Sequence, residues 1–399
     1  MGNMERSEVM ALLSPATLEL LATTDPPSSK DDVLALVSRL RKAGHSPELT
    51  SAVMGQLALR AKAIDKFGEF APRMLLTKEG LEQATRLSVA SHHAQRMHWA
   101  GITSVVDAGC GIGGDALAFA GVGLTVRALE SDEATAALAA YNLAPLDTVE
   151  VLHRSVSDED LEGVDALWCD PARRAGATRL HNPEDWSPSL EWVFAHAQTM
   201  PAGIKLAPGM DRSLIPEGME AQWVSYQGSA LEMVLWSGKL AREGTTRSAL
   251  VLTSRGSAEL LGADDAPDAP VGDLLRYLIE PDGAVIRARL IGDLARHHHG
   301  HMIDATIAYV TTDQVVHTPL ASCFEILEVI PYSVKGVEAL VKKSDLGELE
   351  IKKRGLDIDP AHLRTTLSLK GSGQATLILT RAAGKKIAIL ARRIEDAPE

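Results

Sequence analysis

Val105-Val106-Asp107-Ala108-Gly109-Cys110-Gly111-Ile112-Gly113-Gly114-Asp115-Ala116-Leu117 runs from an apolar strand through a glycine turn into a helix. Glycines 109, 111 and 114 satisfy the GxGxxG spacing, in which missing side chains permit a tight turn and let a ligand approach the backbone. Glu130 closes the next apolar run, Thr125-Leu129, where a carboxylate can accept the paired hydroxyls of a ribose. Working outward, Ser104-Asp107, Thr125-Leu129, Val149-His153, Ala166-Cys169 and Gly203-Leu206 are short apolar strands separated by helical stretches. That alternation predicts a parallel sheet with helices on both faces. Ala221-Tyr226 and Leu231-Trp236 are separated by four residues, too few for a helical crossover, so they should form an antiparallel hairpin.

The charge of the loop discriminates between cofactors. A dinucleotide brings a pyrophosphate, which the flanking carboxylates Asp107 and Asp115 would repel. S-adenosylmethionine brings a sulfonium and an ammonium and no phosphate, and the same carboxylates would attract it. A parallel sheet ending in a reversed strand is also the plan of the class I methyltransferases. S-adenosylmethionine is therefore expected ahead of a nicotinamide or flavin, or of a turn that binds nothing. On this reading Asp107, Gly109, Gly111 and Gly113 cradle the cofactor and Glu130 holds its ribose. Asp158, in the loop after the third strand, would accept from the adenine amino group, although Glu159, Asp160 and Glu162 share that loop. Ser131-Asp132-Glu133 reads as the opening of the following helix.

The fourth strand ends in Asp170-Pro171-Ala172-Arg173-Arg174, beside the cofactor loop. Methyl transfer from a sulfonium is an in-line displacement, so the enzyme mainly positions the nucleophile and accepts a proton. A carboxylate next to a proline carbonyl supplies two acceptors that can grip an amino group, as Asp/Asn-Pro-Pro-aromatic motifs do in enzymes that methylate exocyclic amines of bases. Asp170, Pro171 and Arg173 are the candidate catalytic residues, with the Arg173 guanidinium standing where the motif carries an aromatic. Lys205, in the fifth strand, is a candidate substrate contact. Cys110, Cys169 and Cys323 are too few and scattered for a disulfide framework or a metal site, and the first two read as core thiols. His297, His298, His299 and His301 lack carboxylate or cysteine partners, so no metal is expected.

The chain has 399 residues, 45% hydrophobic and 23% charged, enough for two or three domains. No apolar run reaches the roughly 18 residues of a membrane span, and the first residues show no basic-then-apolar leader, so a cytoplasmic protein without a membrane partner is expected. Formal charge is −13, which argues against a nucleic-acid partner until its distribution is considered. Between residues 333 and 393 stand 13 Lys and Arg against six Asp and Glu, a surplus of seven that leaves −20 on the remainder. Lys352, Lys353 and Arg354 are the candidate RNA contacts within that basic segment, whose alternative is a merely solvated face. Ser46-Pro47-Glu48 opens a helix that Gly68 should stop, and Lys78 to Met97 reads as a second helical run. Gln374-Thr380 and Lys386-Ala391 should close the chain as a hairpin. The organisation expected is a helical region 1–97, a cofactor-binding region 98–254, a connecting segment 255–330 that opens on a polar, proline-bearing linker, and a small module 331–399.

Phe67-Gly68-Glu69-Phe70 through Leu81-Glu82-Gln83-Ala84-Thr85, the loop Asp107 to Asp115, and Asp170-Pro171-Ala172-Arg173-Arg174 together resemble a bacterial family of class I methyltransferases that ends in a THUMP-like domain. Gly347-Glu348-Leu349-Glu350-Ile351-Lys352-Lys353-Arg354-Gly355 and Gly371-Ser372-Gly373-Gln374-Ala375-Thr376-Leu377 are similar to that closing domain. The resemblance covers essentially the whole chain. It implies an α/β fold with a seven-stranded Rossmann-like sheet, a helical N-terminal domain and a small α+β C-terminal domain. THUMP domains bind RNA in RNA-modifying enzymes, so the resemblance implies methylation of a base nitrogen in tRNA or rRNA. The Asp-Pro motif also resembles that of trimethylguanosine synthases, with Arg173 in place of their aromatic, which opens the question of the target atom. The rival expectations are a methyltransferase for a small-molecule or protein amine, and a non-catalytic RNA-binding protein.

Overall fold

The computed structural model describes residues 6–171, 174–175, 178–179, 186–254, 256–263 and 267–394, with the backbone alone at 6–8, 158–159, 174–175 and 178–179. Contacts divide the chain into two compact units. The first comprises Met1–Leu206, Ile215–Met219 and Val234–Ala241, and the second comprises Ala207–Leu214, Glu220–Met233 and Arg242–Glu399.

In the first unit, helices α1 (Arg6–Leu12), α2 (Pro15–Thr23), α3 (Lys30–Lys42) and α4 (Pro47–Phe67) precede the sheet. The start of α4 follows from its sequence: the Ser46 hydroxyl accepts from Leu49 N, Pro47 fills the first turn, and Gly68 ends the helix at φ +53°. The run from Lys78 forms two helices, α5 (Lys78–Gln83) and α6 (Leu87–Trp99), where the spacing of apolar residues implied one. Ala84 and Arg86 leave the helical region, and the Lys66 ammonium caps the loose carbonyls of Leu81, Glu82 and Ala84 at 2.7, 2.9 and 2.8 Å. Strands β1 (Ser104–Ala108), β2 (Thr125–Glu130), β3 (Val149–His153), β4 (Ala166–Cys169) and β5 (Ala202–Leu206) lie parallel in the order β3-β2-β1-β4-β5. Helices α7 (Gly114–Gly121), α8 (Glu133–Leu143) and α9 (Leu190–Ala197) connect them.

Beneath β4 the core closes on Trp168 and Trp236, both fully buried with ring centroids 5.8 Å apart. A Cβ at Gly203 would stand 2.6 Å from Trp168 and 2.7 Å from Trp236, so the two indoles dictate the glycine between them. Val53, Leu57 and Leu75 share a second apolar cluster with Ala134 and Leu138 of α8, which seats the N-terminal helices against the sheet's own helices.

Strands β6 (Glu220–Tyr226) and β7 (Ser229–Trp236) are neighbours joined by Gln227-Gly228, both at positive φ. A two-residue connection of this kind serves antiparallel strands, as the sequence implied. The last three residues of β7 belong to the first unit, next to β5, so the strand order reads β3-β2-β1-β4-β5-β7-β6, the seven-strand plan of class I methyltransferases. Two further strands, β8 (Arg247–Thr253) and β9 (Gly256–Gly262), extend the order beyond β6, β8 parallel to it and β9 antiparallel to β8. In sequence β9 looks like the approach to a linker because it alternates exposed and half-buried residues and shows no apolar run, whereas β8 is buried over residues 248–252.

The rest of the second unit holds a seven-stranded sheet of β10 (Tyr277–Pro281), β11 (His301–Met302), β12 (Val310–Thr312), β13 (Ala321–Pro331), β14 (Leu346–Lys353), β15 (Gly373–Ala382) and β16 (Lys385–Arg393), ordered β11-β12-β10-β13-β16-β15-β14. Helices α10 (Gly283–Arg287), α11 (Ile291–His297), α12 (Val334–Lys343) and α13 (Pro360–Thr366) complete it. Val337, Leu340 and Val341 of α12 and Leu363 of α13 form one core cluster with Leu349, Leu377 and Leu390 of the sheet. β15 and β16 are the expected closing hairpin.

Candidate active site

The glycine loop is built by the backbone of the strands it joins. Gly109, Gly111 and Gly113 sit at φ +91°, +56° and +91°, which only glycine adopts without strain. Gly109 N and Cys110 N both donate to Leu129 O at 2.9 Å, clamping the turn against the end of β2. Glu130 completes the clamp: its Oε2 accepts from Gly111 N at 3.0 Å and its Oε1 from Asp132 N at 2.9 Å. Each carboxylate oxygen has a second lone pair, so a group pinned this way still has acceptor capacity for a ribose diol. On the other side of the loop, Asn142 donates to Ile112 O and Leu75 O at 3.0 Å and accepts from Leu75 N at 2.7 Å.

At the end of β1, Asp107 is buried and its Oδ2 has no hydrogen-bond partner among the described residues. Burial pushes its carboxyl well above the ordinary range, and the nearby Asp115 pushes it further. Such a group is costly unless a ligand supplies the missing donor.

Asp170 at the end of β4 keeps a side chain 38% exposed and forms an ion pair with the Lys205 ammonium. Lys205, on β5, also donates to Thr85 Oγ1 at 2.8 Å and lies 3.8 Å from Asp115 Oδ2. The Thr85 hydroxyl donates to Asp115 Oδ2 at 2.8 Å, and His93 Nδ1 stands 3.5 Å from Asp115 Oδ1 while its ring stacks 4.7 Å from Trp168. Burial raises the Asp115 carboxyl, but Lys205, His93 and Thr85 outweigh it and hold the group below its ordinary value. Backbone carries the two halves of the site together: Asp170 N donates to Ala108 O at 3.4 Å, and a Cβ on Gly109 would approach Asp170 O to 3.2 Å.

The structure therefore gathers Asp107, Gly109, Gly111, Gly113, Glu130, Asp170 and Lys205, all expected from sequence, and buries Pro171 beside them. Arg173 lies outside the described residues, as does the Asp158 side chain. Its neighbour Asp160 is buried, accepts from Ser157 N and Oγ at 2.9 Å and pairs with Arg154, a structural set. Thr85 and His93 belong to the site without any sequence signal for it. Cys110 and Cys169 are buried thiols that burial pushes well above their ordinary pKa, as expected of core cysteines. Among the described residues no three His, Cys, Asp or Glu converge on a metal position, and no helix is long and apolar enough to cross a membrane.

In the second unit Lys352 Nζ is 2.6 Å from Glu280 Oε2, and Arg354 is 3.7 Å from Glu280 Oε1 with its guanidinium 5.1 Å from the Tyr309 ring centre. Lys353 is exposed. Opposite-charge pairs also take up Arg392 and Arg276 with Glu325, Arg393 with Glu350 and Lys343 with Glu328.

A glycine turn at the carboxyl ends of parallel strands, an acid at the end of β2 and Asp-Pro at the end of β4 define a class I methyltransferase. Over 358 residues the chain is 32% identical to an uncharacterised S-adenosylmethionine-dependent methyltransferase of Mycobacterium tuberculosis, in strains CDC 1551 / Oshkosh and ATCC 25618 / H37Rv, which spans 86% of this chain and 95% of that protein. The chain belongs to that family and is an S-adenosylmethionine-dependent methyltransferase. Residues 321–393, the first residue of β13 to the last of β16, match the family described as THUMP domain-like, and residues 5–63 match a domain of unknown function. A solved structure from Porphyromonas gingivalis W83, assigned as a methyltransferase, shares the fold with a TM-score of 0.77 over 99% of this chain and 100% of that one, at 21% identity. The residues present suit the cofactor: an unpartnered buried Asp107 oxygen in a cluster of four acids and one lysine calls for a ligand that carries cationic groups.

Proposed function

We propose that this methyltransferase modifies an amino nitrogen of an RNA base in the cytoplasm. The observation that carries the reading is Asp170, a partly exposed carboxylate at the end of β4 and against the cofactor loop, in a chain whose residues 321–393 match a THUMP-like family. Asp107 would bind the cofactor's cationic end, the backbone of Gly109, Gly111 and Gly113 its methionine portion, Glu130 its ribose and Asp158 its adenine. When bound, S-adenosylmethionine supplies an electrophilic methyl group on a good leaving sulfide. Asp170 accepts an N–H of the target amine, and the Pro171 carbonyl offers a second acceptor, which together aim the nitrogen lone pair. As the N–C bond forms and the S–C electron pair stays on sulfur, the surplus proton on nitrogen leaves to an Asp170 oxygen and then to water. Arg173 would cover the base or a phosphate.

The RNA contacts assigned to the second unit are exposed lysines gathered at one end of its sheet. Register sets Lys353 opposite Leu379 and Lys386 opposite Arg381, Lys385 follows the hairpin turn, and all three lysines are exposed. Lys352 and Arg354 would act through the structure they brace, because Glu280 already binds them.

Transfer of labelled methyl from S-adenosylmethionine to total RNA from a strain lacking this gene, with parental RNA as control, tests the proposal. Label entering only the RNA of the deletion strain supports it. The pairing of Lys352 and Arg354 favours a second reading, a small-molecule or protein amine as acceptor, and absence of label in both RNAs with cofactor binding intact would select it. Salt separates the two readings as well, since RNA affinity falls steeply with ionic strength and that of a neutral small substrate hardly changes.

A further inference from the structure

We infer that Thr85 and Asp115 are positioning residues: they bracket the Lys205 ammonium and thereby fix the Asp170 carboxylate in the orientation that receives the target amine. The inference rests on the role proposed for Asp170, and it extends the site to the residues that stand behind the lysine. The geometry carries it. Lys205 is a four-carbon flexible chain, which left alone would sample several rotamers over Asp170. Here its side chain is only 11% exposed, and the ammonium is held on one side by Thr85 Oγ1 at 2.8 Å, on another by Asp115 Oδ2 at 3.8 Å, and pairs with Asp170.

Thr85 serves both groups with one hydroxyl. It accepts from Lys205 and donates to Asp115, so its single proton is committed and its orientation fixed. Asp115 is in turn fixed by His93 at 3.5 Å, and His93 by stacking on the buried Trp168. The break between α5 and α6 exists at the residue where this contact is made: Thr85 stands between the two helices, and Lys66 caps the carbonyls freed by the break. A continuous helix over 78–97 would forfeit the bracket.

Electrostatics explains why a bracket is needed. Asp115 and Asp170 both pair with the one lysine and Asp107 feels its charge, so these carboxylates compete for it. A Lys205 drawn wholly to Asp170 would block the acceptor that the amine needs, and one drawn wholly to Asp115 would leave Asp170 to rotate. Sharing it among Thr85, Asp115 and Asp170 leaves the carboxylate held yet able to accept a second donor.

The charged and titratable groups facing this bracket are Asp107 on β1, His93 on α6, Asp170 after β4 and Lys66 on α4, with Glu130 on β2 acting on Asp107 behind them. Thr85→Val keeps the shape and removes the hydroxyl. In the full-length, cofactor-loaded enzyme we expect kcat to fall about 10- to 100-fold with cofactor Kd unchanged, and the acid limb of kcat to move to higher pH, because Asp115 loses a bond that holds its proton affinity down. Thr85→Ser should restore both. An unchanged kcat and acid limb in Thr85→Val would overturn the inference, and so would equal losses in the Val and Ser variants, which would assign Thr85 to packing. A second readout needs no acceptor: the carboxyl ¹³C titration of Asp115 in the cofactor-bound protein should shift upward in Thr85→Val and return in Thr85→Ser, and no shift would overturn the inference. Wild-type enzyme that labels no RNA would defeat the RNA reading while leaving this titration to decide the bracket.

Discussion

Charge is handled in opposite ways at the two ends of this chain. Around the glycine loop Asp107 gathers with three further acids and one lysine, and an Asp107 oxygen is left without a protein donor among the described residues. In the closing module part of the basic surplus counted along the sequence is matched in space: Glu280, Glu325, Glu328 and Glu350 draw in Lys352, Arg354, Arg392, Lys343 and Arg393, five of the thirteen, and Glu325 also pairs with Arg276. An unmatched buried charge marks a place prepared for a ligand of opposite sign, whereas a matched surface pair mostly organises the fold. A raw count of Lys and Arg therefore overstates the surface available to a polyanion, and the residues to test are the exposed lysines rather than all thirteen basic positions.

The largest effect expected from this contrast is at Asp170. Asp170→Ala should lower turnover by at least about a thousandfold, read by methyl incorporation, while cofactor affinity stays within about tenfold. A comparable loss of cofactor affinity would move Asp170 into the adenosine pocket. Next comes Asp107→Asn, which sharpens the idea of a charge held ready for a cation. Cofactor Kd should rise about 10- to 100-fold by calorimetry, and the unliganded protein should melt higher, because a buried anion without a donor has gone. The pH dependence gives the sign: a carboxyl whose folded pKa is raised loses stability as pH climbs from its unfolded value, about 4, toward the folded one, so the gain in the variant should be present at neutral pH and vanish below about pH 4.

Smaller effects should separate the lysines. Charge reversal at Lys353 and Lys386 should weaken RNA binding and reduce the salt slope by about one for each phosphate no longer neutralised, with melting temperature unmoved. Lys352→Met should do the reverse, destabilising the protein by about 1 kcal/mol because Glu280 loses its closest partner, and leaving the salt slope as it was. If Lys352 changed the slope and Lys353 did not, the contrast between free and matched charge would be broken.

The parallel strands, the hairpin after β5 and the loop geometry were readable from sequence because each rests on local rules: apolar runs of strand length, a connection too short for a crossover, and glycines where φ is positive. Cofactor chemistry was readable at Asp107 for a related reason, since two carboxylates beside the turn have the wrong sign for phosphate. Thr85 was out of reach. Its partners Asp115 and Lys205 stand 30 and 120 positions away, and the periodicity of its own segment argues for an unbroken helix. β9, an edge strand, was missed because it has no buried run to announce it, whereas β8 does carry one, residues 248–252. Local patterns state which element forms, while a side chain that bridges elements becomes visible only after the fold has brought them together.

Asn142 leads to a different kind of conclusion. With one amide it reads both backbone groups of Leu75 and holds the carbonyl of Ile112 inside the glycine loop, so the segment after α4 and the cofactor turn share a single fastener. The helices that begin the chain are thus wall rather than porch: trimmed to start at β1, the protein would retain every glycine of its loop and lose the abutment against which that loop is shaped.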